Sequence, residues 1–206
     1  MGIQERKERE KQEMRELILQ TARQVFIEEG YEKTSIRTIA DRIEYSPATI
    51  YLYYKDKDQL LFAIHELGFD ALLASFQTLQ EIADPLERFR QLGHRYVQFA
   101  INNPEMYDLM FISYSPMNAL EKAQEGSTWD CGYQSFHTLC SIIQENMDQG
   151  LLRTNDLYVT ALSVWSFVHG LACLHIRNRL KAFPEHLNTQ QLMDQSLDLL
   201  ITSLKV

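Results

Sequence analysis

Ser46, Pro47, Ala48 and Thr49 put two hydroxyls and two small apolar groups at the start of one short helical stretch. Tyr51 and Tyr53 follow, with Arg37 before and Lys57 after. Small residues at a helix end leave room to enter the major groove of a duplex. There the Ala48 and Thr49 methyls can touch a thymine methyl, and the Ser46 and Thr49 hydroxyls can bond to base edges or phosphates. Arg37 suits a guanine fork, worth roughly 1–3 kcal/mol of base discrimination. Tyr51 and Tyr53 would flank the groove and meet phosphates, and Lys57 adds charge where the next helix begins.

These side chains need two short helices to hold them. Thr34 or Ser35 can cap the first, whose inward face is Ile36, Ile39, Ala40 and Ile43. Glu44, Tyr45 and Ser46 break the apolar period. Ser46 is then a good N-cap and Pro47 fits a first turn, so a second helix starts at once with Ile50 and Tyr54 inward. Two short helices joined by so tight a turn form a helix-turn-helix. On the residues alone, a plain three-helix bundle with core or surface tyrosines stays open as the alternative.

The segment resembles the TetR family of bacterial regulators. That family's pattern is matched by Thr34, Ile39-Ala40, Ser46, Ile50-Tyr51, Tyr54, Lys57 and Leu60, with Phe26 and Gly30 upstream. The resemblance spans about residues 12 to 65. It implies phosphate and base contacts at Thr34, Ser35, Arg37, Ser46, Pro47, Ala48, Thr49, Tyr51, Tyr53 and Lys57. One departure bears on the turn: the family usually has Gly then Val where this chain has Glu44 then Tyr45. Glu44 is therefore expected in a left-handed conformation, which only glycine adopts freely.

The rest of the chain also reads as helix. Apolar residues recur at spacings of three and four, no strand alternation is sustained, and Asp84-Pro85, Asn103-Pro104 and Ser115-Pro116 repeat a cap-then-proline device. Helices are expected at 8–29, 35–42, 46–53, 57–82, 85–102, 104–112, 117–148, 156–180 and 189–204. Gly30 and Gly150 fall where C-terminal caps belong, and Asn188 can cap the last helix. The expected fold is all-α, about nine helices. An N-terminal helix-turn-helix domain (1–55) joins a C-terminal helical ligand-binding and dimerisation bundle (56–206). The charged head before Gln12 reads as a solvated helix face or an arm.

Within the body, Trp165, His169 and Gly170 form W-x-x-x-H-G on a long apolar helix, resembling a subgroup of TetR C-terminal domains. His169 is equally a satisfied core histidine. Tyr107, Met110, Phe111 and Tyr114 form one cluster of large side chains, and Trp129, Tyr133, Phe136 and His137 another. With Trp165 and His169 these are the candidate contacts to an unknown small-molecule effector, although such stripes also make plain core. Leu162, Leu171, Leu174, Leu192 and Leu199 supply apolar surface on the last two helices. By resemblance they are expected to pack against a second copy.

Bulk properties limit the alternatives. Of the formal charge of −8, the first 60 residues contribute only −1, from 11 Lys/Arg against 12 Asp/Glu. A near-neutral head allows a local DNA face but not a wrapping one. Three cysteines without a CxxC pair fit a reduced, cytoplasmic chain, and the charged N-terminus is no signal peptide. Residues 157–176 carry no formal charge and are long enough to span a bilayer. Their two histidines and several hydroxyls argue for a buried or dimer-forming helix and no membrane partner. No GxSxG, HExxH, GxxxxGK, GxGxxG or Glu-x-x-His occurs, and the six histidines are scattered, so no enzyme, cofactor or metal is expected. The expectation is a homodimeric regulator of a double-stranded DNA operator, most simply a repressor released by a ligand. The alternative is a helical ligand-binding or adaptor protein using its head on other proteins.

Overall fold

The computed structural model describes residues 2–112, 130–184 and 186–206, with side chains resuming at 132. Among them are nine α-helices: α1 (Ile3–Glu29), α2 (Ile36–Arg42), α3 (Pro47–Tyr51), α4 (Lys57–Phe76), α5 (Pro85–Asn102), α6 (Pro104–Phe111), α7 (Asp130–Asp148), α8 (Leu157–Ile176) and α9 (Thr189–Leu204). The fold is all-α, helix-turn-helix first and bundle after. Tyr114, Trp129 and the Ser115-Pro116 device lie outside the described residues.

Side-chain caps explain most helix starts. Ser35 Oγ accepts from Thr38 N, Ser46 Oγ from Thr49 N, and Asp84 Oδ1 from Leu86 N and Glu87 N. Asp156 and Asn188 cap α8 and α9 in the same way through Val159 N and Gln191 N. Each such cap is worth about 1 kcal/mol.

Three boundaries differ from the sequence expectation. Helix α1 starts five residues early, at Ile3, where Glu5 reaches back to the Gly2 amide and Arg6–Glu10 and Arg9–Glu13 pair one turn apart. Helix α4 tightens into a 3₁₀ turn over Gln77–Glu81. Helix α8 stops at Ile176 because Asn178 turns left-handed at φ 55°, and a 3₁₀ turn at Arg179–Ala182 follows.

The chain forms two compact units, dividing within α4 after Gly68 and within α6 after Tyr107. In the first, residues 2–68 with 108–112, Ile18, Ala22, Val25, Ile39, Ile50, Leu60, Leu61 and Ile64 are fully buried. In the second, residues 69–107 and 130–206, α5 packs against α7, α8 and α9 around Leu92, Val97, Ile143, Val168 and Leu197. The close approach of helices falls at Gly93, where a Cβ would lie 3.5 Å from Leu197 Cδ2. A Cβ added at Gly170 would meet nothing within 4 Å. The body's last residues clip onto the loop between α7 and α8: Leu152 bridges Lys205, Arg153 N donates to Leu204 O (3.0 Å), and Arg153 Nε donates to Lys205 O (3.0 Å).

Among the described residues two stretches, Lys57–Glu81 and Leu157–Ile176, are long and apolar enough to cross a membrane. In the second, α8 buries Ala161, Val164, Val168 and Ala172 in the body and leaves Leu162 and Leu174 exposed.

Candidate functional site

The turn between α2 and α3 is built around Glu44. Tyr45 N donates to Ala40 O (3.0 Å) and Glu44 N to Asp41 O (3.3 Å), the two bonds of a Schellman ending, with Glu44 at φ 59°. The expected left-handed glutamate is therefore present, and it aims the chain straight into the Ser46 cap of α3. Ser46 Oγ and Thr49 Oγ1 also bond each other at 3.0 Å, and each keeps capacity for a further partner. Ile50 and Tyr54 face inward at 0% and 3% exposure, which leaves the opposite side of α3 outward.

On that outer surface lie Ser35, Arg37, Ser46 and Ala48, with Pro47, Thr49 and Tyr53 half-buried and Tyr51 exposed. Arg37 is 83% exposed and reaches only 4.0 Å from Asp41, so its guanidinium is held loosely. Tyr45 and Leu52 are exposed beside them.

Of the other expected contacts, Thr34 is buried, and Lys57 is half-buried with its ammonium turned to backbone carbonyls. Thr34 is 3% exposed and its hydroxyl donates to Gly30 O (2.9 Å). The Lys57 ammonium donates to Tyr31 O (2.8 Å) and Thr34 O (3.1 Å) and sits 4.0 Å from the centre of the Tyr31 ring. Asp58 takes the Tyr31 hydroxyl as partner. The start of α4 thus clasps the loop ahead of α2. Sequence spacing gives no sign of this, since the partners are 23 to 27 residues apart.

In the body, α5, α6 and α8 bring Tyr96, Tyr107, Trp165 and His169 into one hydrogen-bonded cluster. Trp165 Nε1 donates to Tyr96 Oη (3.0 Å), Tyr96 and Tyr107 hydroxyls are 2.9 Å apart, and Tyr107 Oη lies 2.6 Å from His169 Nδ1. His169 Nε2 is 3.3 Å from Cys173 Sγ. Burial pushes the Tyr96 phenol up to about 12, drives Tyr107 higher, and lowers the basicity of His169, so the cluster is uncharged at neutral pH. Tyr96 and Cys173 were not legible as members, since neither stands out from neighbouring apolar positions.

Tyr133, Phe136 and His137 line an open groove of about 480 Å³ along α7, with Cys140, Gln144, Asp148 and Tyr158. Its Phe136 ring lies 6.0 Å from Trp165, joining the groove wall to the cluster. Met110 and Phe111 are placed elsewhere, at the end of α6 in the first unit. There the Met110 carbonyl meets His65 Nε2 at 3.0 Å, and burial lowers the basicity of that histidine. Leu162, Leu174 and Leu199 are 55%, 44% and 71% exposed, while Leu171 and Leu192 are half-buried. No group of three or more His, Cys, Asp or Glu that could hold a metal occurs among the described residues.

Residues 18–64 match the profile of bacterial regulatory proteins of the tetR family, and residues 89–204 match the tetracyclin repressor-like C-terminal domain. The HTH-type transcriptional regulator HbdR of Aromatoleum sp. (strain CIB) is 23% identical over 191 residues, 92% of this chain and 80% of that protein. A Rhodococcus sp. RHA1 protein of unknown function has the same fold, with TM-score 0.74, 24% identity, and 93% of this chain and 95% of that one covered. The fatty acid degradation regulator FadR of Bacillus halodurans also shares it, with TM-score 0.70, 15% identity, and coverage of 91% and 94%. With the second profile alone covering more than half its length, this chain belongs to the TetR family of bacterial transcriptional regulators.

Proposed function

We propose that the protein is a homodimeric, sequence-specific DNA-binding repressor that leaves its operator when a small molecule enters the body. The observation that carries this reading is the Ser46 cap: a proline-started helix, launched from a tight turn, offering small groups outward and burying Ile50 and Tyr54 behind them. The contact surface is Ser35, Arg37, Ser46, Pro47, Ala48, Thr49, Tyr51 and Tyr53, within a head of residues 1–55. Two such heads in successive major grooves would read a near-palindromic site with half-sites about 34 Å apart. The exposed Leu162, Leu174 and Leu199, with Leu171 and Leu192, are the proposed dimer seam on α8 and α9.

The effector site is the aromatic groove on α7 together with the Trp165–Tyr96–Tyr107–His169 cluster. The W-x-x-x-H-G pattern is its proposed subgroup mark. An effector acts by favouring one conformation over another through differential affinity. FadR, which shares the fold, is described as a regulator of fatty acid degradation, and the aromatic lining here suits a mainly apolar compound.

The test is binding to duplexes selected from a random library, followed by fluorescence anisotropy across a salt series. Specific binding weakens steeply with salt, and Arg37→Ala relaxes preference at particular base pairs. Exposed Leu52, at 80%, favours a second reading in which the head docks on protein. A flat salt response would support that reading against ours. A monomer by light scattering at micromolar concentration would remove the dimer seam.

A further inference from the structure

We infer that Lys57 is a positioning residue for the DNA-binding surface, and that the charge meeting the phosphates comes from Lys33, Arg37 and Lys55. The inference rests on the DNA-binding reading above. An ammonium has three donors, and two of those on Lys57 are committed to the Tyr31 and Thr34 carbonyls while its charge lies 4.0 Å from the Tyr31 ring centre. The neighbouring Asp58 holds the same tyrosine through its hydroxyl. Swinging Lys57 out to a phosphate would take a donor from the carbonyl of a residue that is 3% exposed and would undo the cation–ring contact.

What the clasp fixes is the start of α2. Residues 31–34 lead directly into Ser35, the cap of α2, and Arg37 follows within the first turn. Lys57 therefore sets where the guanidinium begins its reach, although it touches no DNA itself. Lys33 and Lys55 are exposed, and neither is in an ion pair among the described residues. They flank the same surface, one just before the Thr34-Ser35 pair and one just after Tyr54.

The salt response separates the two roles, because each phosphate neutralised adds about 0.9 to the slope of log affinity against log salt. The full chain is measured by anisotropy on a duplex it has itself selected from a random library, from about 50 to 300 mM KCl. Lys57→Met is expected to weaken binding about tenfold at every salt concentration with the slope unchanged. Lys57→Arg, which still offers forked donors to two carbonyls, restores affinity. Lys33→Met and Lys55→Met each flatten the slope by about 0.9. A slope that falls by that amount in Lys57→Met, or stays fixed in both Lys33→Met and Lys55→Met, overturns the inference. If Lys57→Met does not fold by circular dichroism, the Lys57→Arg rescue and the other two slopes decide. Selection of no duplex at all, or a flat slope in the unaltered protein, overturns the DNA-binding reading instead.

Discussion

The turn after α2 and the turn after α7 close their helices with the same pair of backbone hydrogen bonds. In the first, Tyr45 N and Glu44 N reach Ala40 O and Asp41 O. In the second, Leu151 N and Gly150 N reach Asn146 O (2.9 Å) and Met147 O (3.0 Å). Both left-handed residues are exposed, at φ 59° and 67°, and a Cβ at Gly150 would meet nothing within 4 Å. Packing therefore does not separate them. The body places glycine where the backbone asks for it, whereas the head places a glutamate there, just ahead of α3. In these two turns the strain sits ahead of α3 and is relieved after α7.

The largest break in this comparison should come from Gly150→Val. With open space around the position, the whole cost is backbone strain, about 2 kcal/mol, read from urea unfolding. A loss under a quarter of that would mean the body's turn is no more demanding than the head's. Glu44→Gly should act in the opposite direction, raising stability by about 1 kcal/mol. If it lowers stability instead, Glu44 is making a contact that outweighs its conformation.

Acid should then act on both regions, since each holds one histidine whose basicity burial lowers: buried His65 in the first unit and half-buried His169 in the second. Unfolded, both titrate near the ordinary value of 6.5. The unfolded chain therefore binds more protons just below that pH, so their contribution is complete above about 6.5 and is lost as pH falls through it. Urea midpoints should hold steady from pH 8 to 7 and decline toward pH 5. His65→Gln and His169→Gln should each shrink the decline, and a decline identical to the parent's in both would assign it to carboxylates. The smallest effect belongs to Asn178→Gly, at φ 55°, where asparagine already tolerates the conformation and only a few tenths of a kcal/mol are expected.

Sequence reasoning reaches those features that neighbouring residues determine. Asp84, Asn188 and Ser46 announce their caps because the acceptor and its amide are two or three residues apart, and the Glu44 turn follows from the break in apolar period. The inward Ile39, Ala40 and Ile50 follow from the same period. Contacts closed through tertiary structure leave no such mark. Lys57 looks like an outward cation until the loop 26 residues earlier folds onto it. Tyr96 looks like any aromatic of α5 until α6 and α8 bring Tyr107 and Trp165 to its hydroxyl. The early start of α1 escapes for another reason: ion pairs one turn apart extend a helix where no apolar face exists to signal it.

The clip of Leu152 and Arg153 onto Leu204 and Lys205 sets an order of events on the ribosome. Residues 2–68 leave the exit tunnel long before Lys205 is added. At ordinary synthesis rates of about 5–20 residues per second, the 137 residues from 69 to 205 take roughly seven to twenty-seven seconds to add. Through that interval the residues of the first unit's head are present without a finished second unit. The clip can therefore close only after nearly all the rest of the second unit has been made.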